Sequence, residues 1–311
     1  MARKKVTVVG AGHVGEATAF QVAQRNLADV VLIDIVDGMP QGKALDMSQG
    51  GALYDMDVSI EGATDHSAMA GSDVVVITSG VPRKPGMDRM DLLKINVGIV
   101  TSVCEGVVKH CPNAIVIMVT NPLDVMAYAA LKSTGFPRER VIGMAGVLDA
   151  ARFRRFIAWE LGVSVRDVSA MVLGGHGDQM VPLARFSTVN GVPIPELIPA
   201  DRIDALIERT RKGGGEIVKL LKTGSAYYAT AASVCVMVEA ILRDTGHLVP
   251  ASVFLQGEYG HEGVFLGVPV QLGAEGLRKI IDLDLNEAEK AQMQISYDAV
   301  KKGVDDVQPL L

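Results

Sequence analysis

The stretch Val6-Thr7-Val8-Val9-Gly10-Ala11-Gly12-His13-Val14-Gly15 decides the fold. A β-branched run stops at a glycine, and a helical pattern then continues through Gln24. Each glycine has a task. Gly10 makes the turn, Gly12 lets backbone N–H groups approach a pyrophosphate, and Gly15 lets the helix pack closely on the strand. The motif alone is weak, but a second strand, Val30 to Ile33, ends in Asp34, about 20 residues beyond the last glycine, where dinucleotide-binding sites carry an acid. A carboxylate there accepts hydrogen bonds from an adenine ribose and repels a 2′-phosphate. Ile35, Val36 and Asp37 offer no base to hold such a phosphate, so NAD is favoured over NADP. The competing reading is a glycine turn with an exposed acid after a strand. His13 reads as a filler at the helix start.

Beyond Asp34 the periodicity predicts a helix over Gln41 to Ala52, strands near Val58 and at Val74 to Thr78, and a helix from about Asp91 to Lys109. A strand at Ala114 to Val119, a helix from Pro122 to Lys132 and a strand at Val141 to Gly143 follow. Strands alternating with helices imply a parallel, doubly wound Rossmann sheet covered on both faces, with ligands bound at the carboxyl ends of its strands. From Val163 onward the alternation weakens, which predicts an α+β half. Arg185 to Val189 before Asn190-Gly191 suggests a hairpin, and Gly213-Gly214-Gly215 is expected to interrupt a helix that starts at Asp201 and resumes from Glu216 to about Arg243. Strands near Ala251 to Gln256 and Val264 to Leu272 and a helix from Asn286 to Lys301 complete the chain. A boundary is expected near residue 145, between a nucleotide-binding domain, 1–145, and a substrate-binding domain, 146–311, packed tightly together.

Three features leave the carboxyl ends of the predicted parallel strands. Gly80-Val81-Pro82-Arg83-Lys84-Pro85-Gly86-Met87-Asp88-Arg89 reads as a lid whose Arg83 and Arg89 can meet an anion, or as a solvated basic loop. Arg89 opens the next helix, where a cation opposes the dipole, so helix stability does not explain it. Asn121 is either a contact for substrate or nicotinamide or the helix N-cap before Pro122. Asp149 and Arg152, at i and i+3, share a helix face as a surface pair or as part of a site.

A fourth feature comes from the second half. Gly174-Gly175-His176-Gly177-Asp178 follows the apolar run Val168 to Leu173, so a strand delivers one imidazole on a glycine loop. Imidazole is the side chain best suited to exchange a proton near neutral pH, although a plain loop histidine fits the same residues. If Asp149 lies opposite, it can hold the ring and favour its charged form while Arg152 grips a carboxylate beside it.

Composition narrows the classes. A net charge of -6 without a basic block argues against a nucleic-acid surface and for small-molecule work. Three cysteines, Cys104, Cys111 and Cys235, are too few and too scattered for a disulfide framework or a metal site, and read as reduced core thiols. The apolar Tyr227 to Leu242 segment holds Ser233 and Glu239 and is too short for a membrane span. No signal peptide is apparent at Met1 to Lys5, so a cytoplasmic location is expected.

Together these residues resemble the lactate/malate dehydrogenase family, and within it the malate dehydrogenases built like lactate dehydrogenases. The resemblance covers essentially the whole chain and rests on Gly10-x-Gly12-x-x-Gly15, Asp34, Arg83 to Arg89, Asn121-Pro122-Leu123-Asp124, Gly146-Val147-Leu148-Asp149-x-x-Arg152, Gly174 to Asp178 and Lys222-Thr223-Gly224-Ser225-Ala226. It implies His176 as proton donor and acceptor, Asp149 as its partner, Arg152 on the C1 carboxylate, Arg89 polarising the reacting carbonyl, and Asn121 and Ser225 near the substrate. It also implies NAD contacts from Gly10, Gly12, Gly15, Asp34, Asn96, Val119 and Asn121, no metal, and a homodimer or homotetramer, with Gln41 to Ala52 and Tyr227 to Leu242 as interface candidates.

Within that resemblance Arg83 sets the substrate. Lactate dehydrogenases usually hold glutamine at the matching position, which suits the methyl group of pyruvate; an arginine pairs with the second carboxylate of oxaloacetate. The expectation is reversible oxidation of (S)-malate to oxaloacetate, with a lactate-type 2-hydroxyacid dehydrogenase as the alternative. An NAD-using glycosidase and a silent NAD-binding protein are more distant readings.

Overall fold

The computed structural model describes residues 3–82 and 89–311, with Arg89 described by its backbone alone. β1 (Lys5–Val9), α1 (His13–Gln24), β2 (Asp29–Ile33), α2 (Met39–Gly51) and β3 (Ile60–Ala63) form one wing; β4 (Val74–Ile77), α3 (Arg89–His110), β5 (Ile115–Met118), α4 (Leu123–Thr134) and β6 (Val141–Gly143) form the other. β1 pairs in parallel with both β2 and β4, so the chain reverses direction across the sheet between β1 and β4. That switch opens a crevice at their carboxyl ends, where Gly10 and Ser79 emerge. β4 and β5 are buried at every position, because helices cover both faces; this is why they read as unbroken apolar runs.

The second half contains α5 (Ala145–Leu161), β7 (Val168–Leu173), β8 (Val181–Val189), β9 (Val192–Pro193), α6 (Ala200–Leu221), α7 (Tyr228–Leu242), β10 (His247–Gln256), β11 (Glu262–Gly273), β12 (Gly276–Ile280) and α8 (Glu287–Val307). β7, β8 and β9 make a small antiparallel sheet, and the β8–β9 turn uses Asn190 and Gly191 at φ 48° and 87°, the left-handed pair that a two-residue hairpin demands. Phe153, Ile157, Val172 and Ile194 form a satellite core that ties α5 to this sheet. Asn286 caps α8 through a reciprocal capping box with Glu289.

Two expectations need correction, and two features of the fold have no counterpart in the sequence reading. Gly213-Gly214-Gly215 does not break its helix: α6 runs through all three, and the break falls at Lys222 and Gly224, with φ 64° and 83°. Mid-helix glycines cost about 1 kcal/mol each, and α6 carries them at the end of its buried face, which runs from Ile203 through Leu206 and Thr210 to Gly213. Gly213 is buried where a Cβ would lie 3.1 Å from Arg152 Cδ, so that side chain occupies the space. The strand expected near Val58 begins at Ile60, and β12 was not foreseen. Finally, the two halves share one sheet. β10 pairs antiparallel with β6 through Ser252 and Gly143, giving the nine-stranded order β12-β11-β10-β6-β5-β4-β1-β2-β3.

α7 is the buried helix its apolar sequence predicts, and among the described residues no helix is long and apolar enough to cross a membrane. The three cysteines are free and buried; burial pushes Cys104 up to about 12 and Cys111 and Cys235 up to about 11, so all remain thiols at neutral pH.

Candidate active site

The glycine turn after β1 shows a separate steric reason at each glycine. Gly10 has φ 104°, and a Cβ there would meet Ser79 N at 2.7 Å; a Cβ on Gly15 would fall 1.7 Å from Gly10 O. Gly12 faces open space, and the start of α1 has no side-chain cap, so its N–H groups are available to an anion. Asp34 closes the turn, accepting from Ala11 N–H at 2.7 Å and Val36 N–H at 3.1 Å, with lone pairs left for a ribose diol. These residues fit a dinucleotide. Lys43, unnoticed in the sequence, does reach this turn, but its ammonium donates to Ala11 O at 2.6 Å and pairs with Glu16. His13 is a helix-start residue, bonded to Glu16 and stacked on Tyr227 with ring centroids 5.2 Å apart. That stack brings the α6–α7 turn, with exposed Ser225, onto the nucleotide turn.

At the other end of the crevice, α5 and the loop after β7 meet. Asp149 is 2% exposed and accepts from both neighbours: His176 Nδ1 lies 2.8 Å from one oxygen, and Arg152 Nη1 donates to the other at 3.1 Å. Burial works against a charged imidazole, but the adjoining carboxylate of Asp149 outweighs it and holds the His176 pKa above the ordinary value. With Nδ1 taken by Asp149, Nε2 is the nitrogen left to exchange a proton. The Arg152 side chain is only 13% exposed, and its Nε–H is buried without a partner among the described residues. That Nε lies against Gly213 of α6, where a Cβ would come within 3.5 Å of it, and a guanidinium held in this way beside a histidine is suited to pair with a carboxylate through its terminal nitrogens.

Asn121 stands outside α4, whose N-cap position is Pro122 without a side-chain cap, and among the described residues its amide side chain has no partner. The capping alternative is thereby removed. Asn96 is buried, and its amide is engaged within the protein, with Val81 N–H and O at 2.9 and 3.3 Å and with Asn121 O at 2.9 Å. It shapes the crevice floor rather than presenting a free polar group. Val119, also buried, follows β5 directly. Arg83 lies outside the described residues; Arg89 opens α3 with its backbone, and its side chain is not described.

Sequence reasoning missed the support beneath His176. The His176 backbone N–H donates to Asp124 Oδ2 at 2.7 Å, Ser252 Oγ donates to Asp124 Oδ1 at 2.6 Å, and Gly175 N–H donates to Ser296 Oγ at 2.8 Å. Asp124 stood within a quoted motif, but neither serine carried any signal. Their partners are backbone amides or side chains more than 50 positions away, contacts that no local spacing reports.

Residues 4–143 match the family model described as lactate/malate dehydrogenase, NAD binding domain, and residues 146–310 match lactate/malate dehydrogenase, alpha/beta C-terminal domain. The chain is 56% identical over 308 residues to a malate dehydrogenase of Thermomicrobium roseum, covering 99% of both chains, and 54% identical over 301 residues to that of Bacillus subtilis, covering 96% of each. Among solved structures it resembles malate dehydrogenase from Picrophilus torridus, with a TM-score of 0.97, 46% identity and coverage of 99% and 98%. It also resembles lactate dehydrogenase from Cryptosporidium parvum complexed with lactic acid and nicotinamide adenine dinucleotide, with a TM-score of 0.96, 44% identity and 99% coverage of each chain. The chain belongs to the lactate/malate dehydrogenase family.

Proposed function

We propose that the chain is an NAD-dependent malate dehydrogenase that interconverts (S)-malate and oxaloacetate. Arg152, Asp149 and His176 carry this reading, because one buried carboxylate joins a carboxylate-binding guanidinium to an acid/base imidazole. The full-length relatives named malate dehydrogenase support the substrate class. Bound NAD supplies or takes the hydride. The chain does the rest. Arg152 holds the C1 carboxylate, Arg89 polarises the reacting carbonyl, Arg83 pairs with the second carboxylate, and Asn121 and Ser225 border the substrate. Gly10, Gly12, Gly15, Asp34, Val119 and Asn121 hold the cofactor, with Asn96 fixing the backbone between them. His176 donates its Nε2 proton to the oxygen as oxaloacetate is reduced, and withdraws it as malate is oxidised.

We further propose a cytoplasmic homodimer or homotetramer that self-associates through α2. Leu45 on that helix is 61% exposed, and Leu53 and Tyr54 just beyond it are exposed too, whereas α7 buries most of its length within the chain. The buried, reduced thiols suit a reducing compartment.

His176→Asn tests the acid/base assignment. Oxaloacetate reduction is expected to fall by about 10²- to 10⁴-fold while NADH binding, followed by its fluorescence, is retained. Turnover that survives the change contradicts the assignment.

A further inference from the structure

The loop that carries His176 has little stiffness of its own. Gly174 and Gly177 take φ 84° and 156°, and glycine-rich backbone costs more entropy to order than any other. An acid/base group must nevertheless meet its substrate within a fraction of an ångström. Reciprocal backbone bonds of 2.8 and 3.0 Å pin Gly174 to Gly267 of β11, and beyond that point two side chains supply the definition, one under each of two consecutive amides. Ser296 of α8 accepts from Gly175 N–H, and Asp124 of α4 accepts from His176 N–H. Gly175 suits this seat, since a Cβ there would meet Val300 Cγ2 at 2.6 Å and Asp124 Oδ2 at 3.3 Å.

Asp124 is the more unusual of the two. It is 4% exposed, and among the described residues no Lys or Arg forms an ion pair with it, so its burial is costly. A first-turn acid favours the helix dipole of α4, but an exposed side chain would do that equally well and would not require burial. Its two oxygens are instead shared between the loop and the sheet: Oδ2 takes the His176 amide, and Oδ1 takes the Ser252 hydroxyl of β10 at 2.6 Å, the short distance of a charge-assisted bond. Burial pushes the Asp124 carboxyl up, and these two donors oppose that shift.

We propose that Asp124 is a positioning residue for the acid/base step: anchored by Ser252, its carboxyl group holds the His176 backbone amide and so fixes the ring against the reacting oxygen. The proposal rests on His176 being the acid/base group. It differs from the Asp149 contact, which orients the ring through Nδ1, because Asp124 acts on the main chain.

The conservative variant separates hydrogen bonding from charge. In Asp124→Asn the amide oxygen can accept from His176 N–H while the amide nitrogen donates to Ser252, whose hydroxyl rotates to accept. Alanine can do neither. Oxaloacetate reduction and NADH binding should be measured for the wild type, Asp124→Ala and Asp124→Asn, with His176→Asn as the reference loss. Asp124→Ala is expected to lower kcat about 100-fold with the NADH Kd within about threefold of wild type, and Asp124→Asn to restore kcat to within about fivefold. An alanine variant within threefold of wild-type kcat, or an asparagine variant as impaired as alanine, overturns the proposal. Should the alanine variant not fold, the double variant Asp124→Asn with Ser252→Ala, measured beside Ser252→Ala alone, decides, since nothing then fixes which end of the amide faces His176. Its kcat is expected about tenfold below the product of the two single effects, and simple multiplicativity overturns the proposal. A wild type that does not reduce oxaloacetate, or a His176→Asn variant that still does, would instead refute the underlying reading.

Discussion

His176 acquires its chemistry from Asp149, and the sign of the pH dependence follows. The carboxylate raises the ring's pKa above its ordinary 6.5, so the protonated form needed for oxaloacetate reduction persists through and beyond that pH. The kcat/KM for reduction should hold at low pH and fall as pH rises through the raised value, while malate oxidation rises over the same window. Asp149→Asn removes the larger of the two charges responsible, the other being Asp124; its reduction profile is predicted to break at lower pH, and an unshifted profile would separate Asp149 from the titration. The role proposed for Arg83 belongs to the same scale. Leaving its guanidinium without a partner in a closed site costs about 3–5 kcal/mol by analogy with a broken buried pair, so Arg83→Gln is predicted to lose oxaloacetate kcat/KM by orders of magnitude. An unchanged kcat/KM would remove its contact with the second carboxylate. The sequence made His176 and its partners legible because each residue type implies a task and the motifs set them side by side. Asp124 was not legible in that way: it serves a backbone amide 52 residues distant, and a main-chain donor leaves no residue-type signature.

The glycine turn and α6 show what is readable in an element. At the turn, three identical residues have three different constraints, and substitution should separate them. Gly12→Ala meets open space, so thermal unfolding should shift little while NADH affinity falls where the pyrophosphate must approach. Gly15→Ala drives a Cβ into Gly10 O and should lower stability by about 1–3 kcal/mol or more, with NADH binding lost alongside. Equal effects on melting and binding from both variants would contradict the division of labour. α6 marks the limit of such reading. Three successive glycines are a reasonable break signal, yet the helix runs through them, and Gly213 leaves room for the Arg152 side chain from another helix. Local propensity does not contain that neighbour.

Across the whole molecule, the parallel wing was readable from its βαβ rhythm. The continuation of the same sheet into β10, β11 and β12 was not, because an antiparallel pairing between Gly143 and Ser252 leaves no periodicity in either strand. The shared sheet has a functional consequence. Ser252 on β10 reaches Asp124 on α4, so the strand that joins the halves also supports the loop bearing His176. Self-association belongs to this scale as well: Leu45→Asp places a charge on exposed α2 and is predicted to shift sedimentation toward the monomer, whereas an unchanged oligomer would move the interface elsewhere. Which acid the assembled site reduces is read most directly from kcat/KM for oxaloacetate against pyruvate with NADH. If a closed site leaves Arg83 unpaired on pyruvate, the cost of about 3–5 kcal/mol predicts a preference for oxaloacetate of roughly 10² to 10³-fold or more. Pyruvate reduced as well as oxaloacetate, or better, would contradict it.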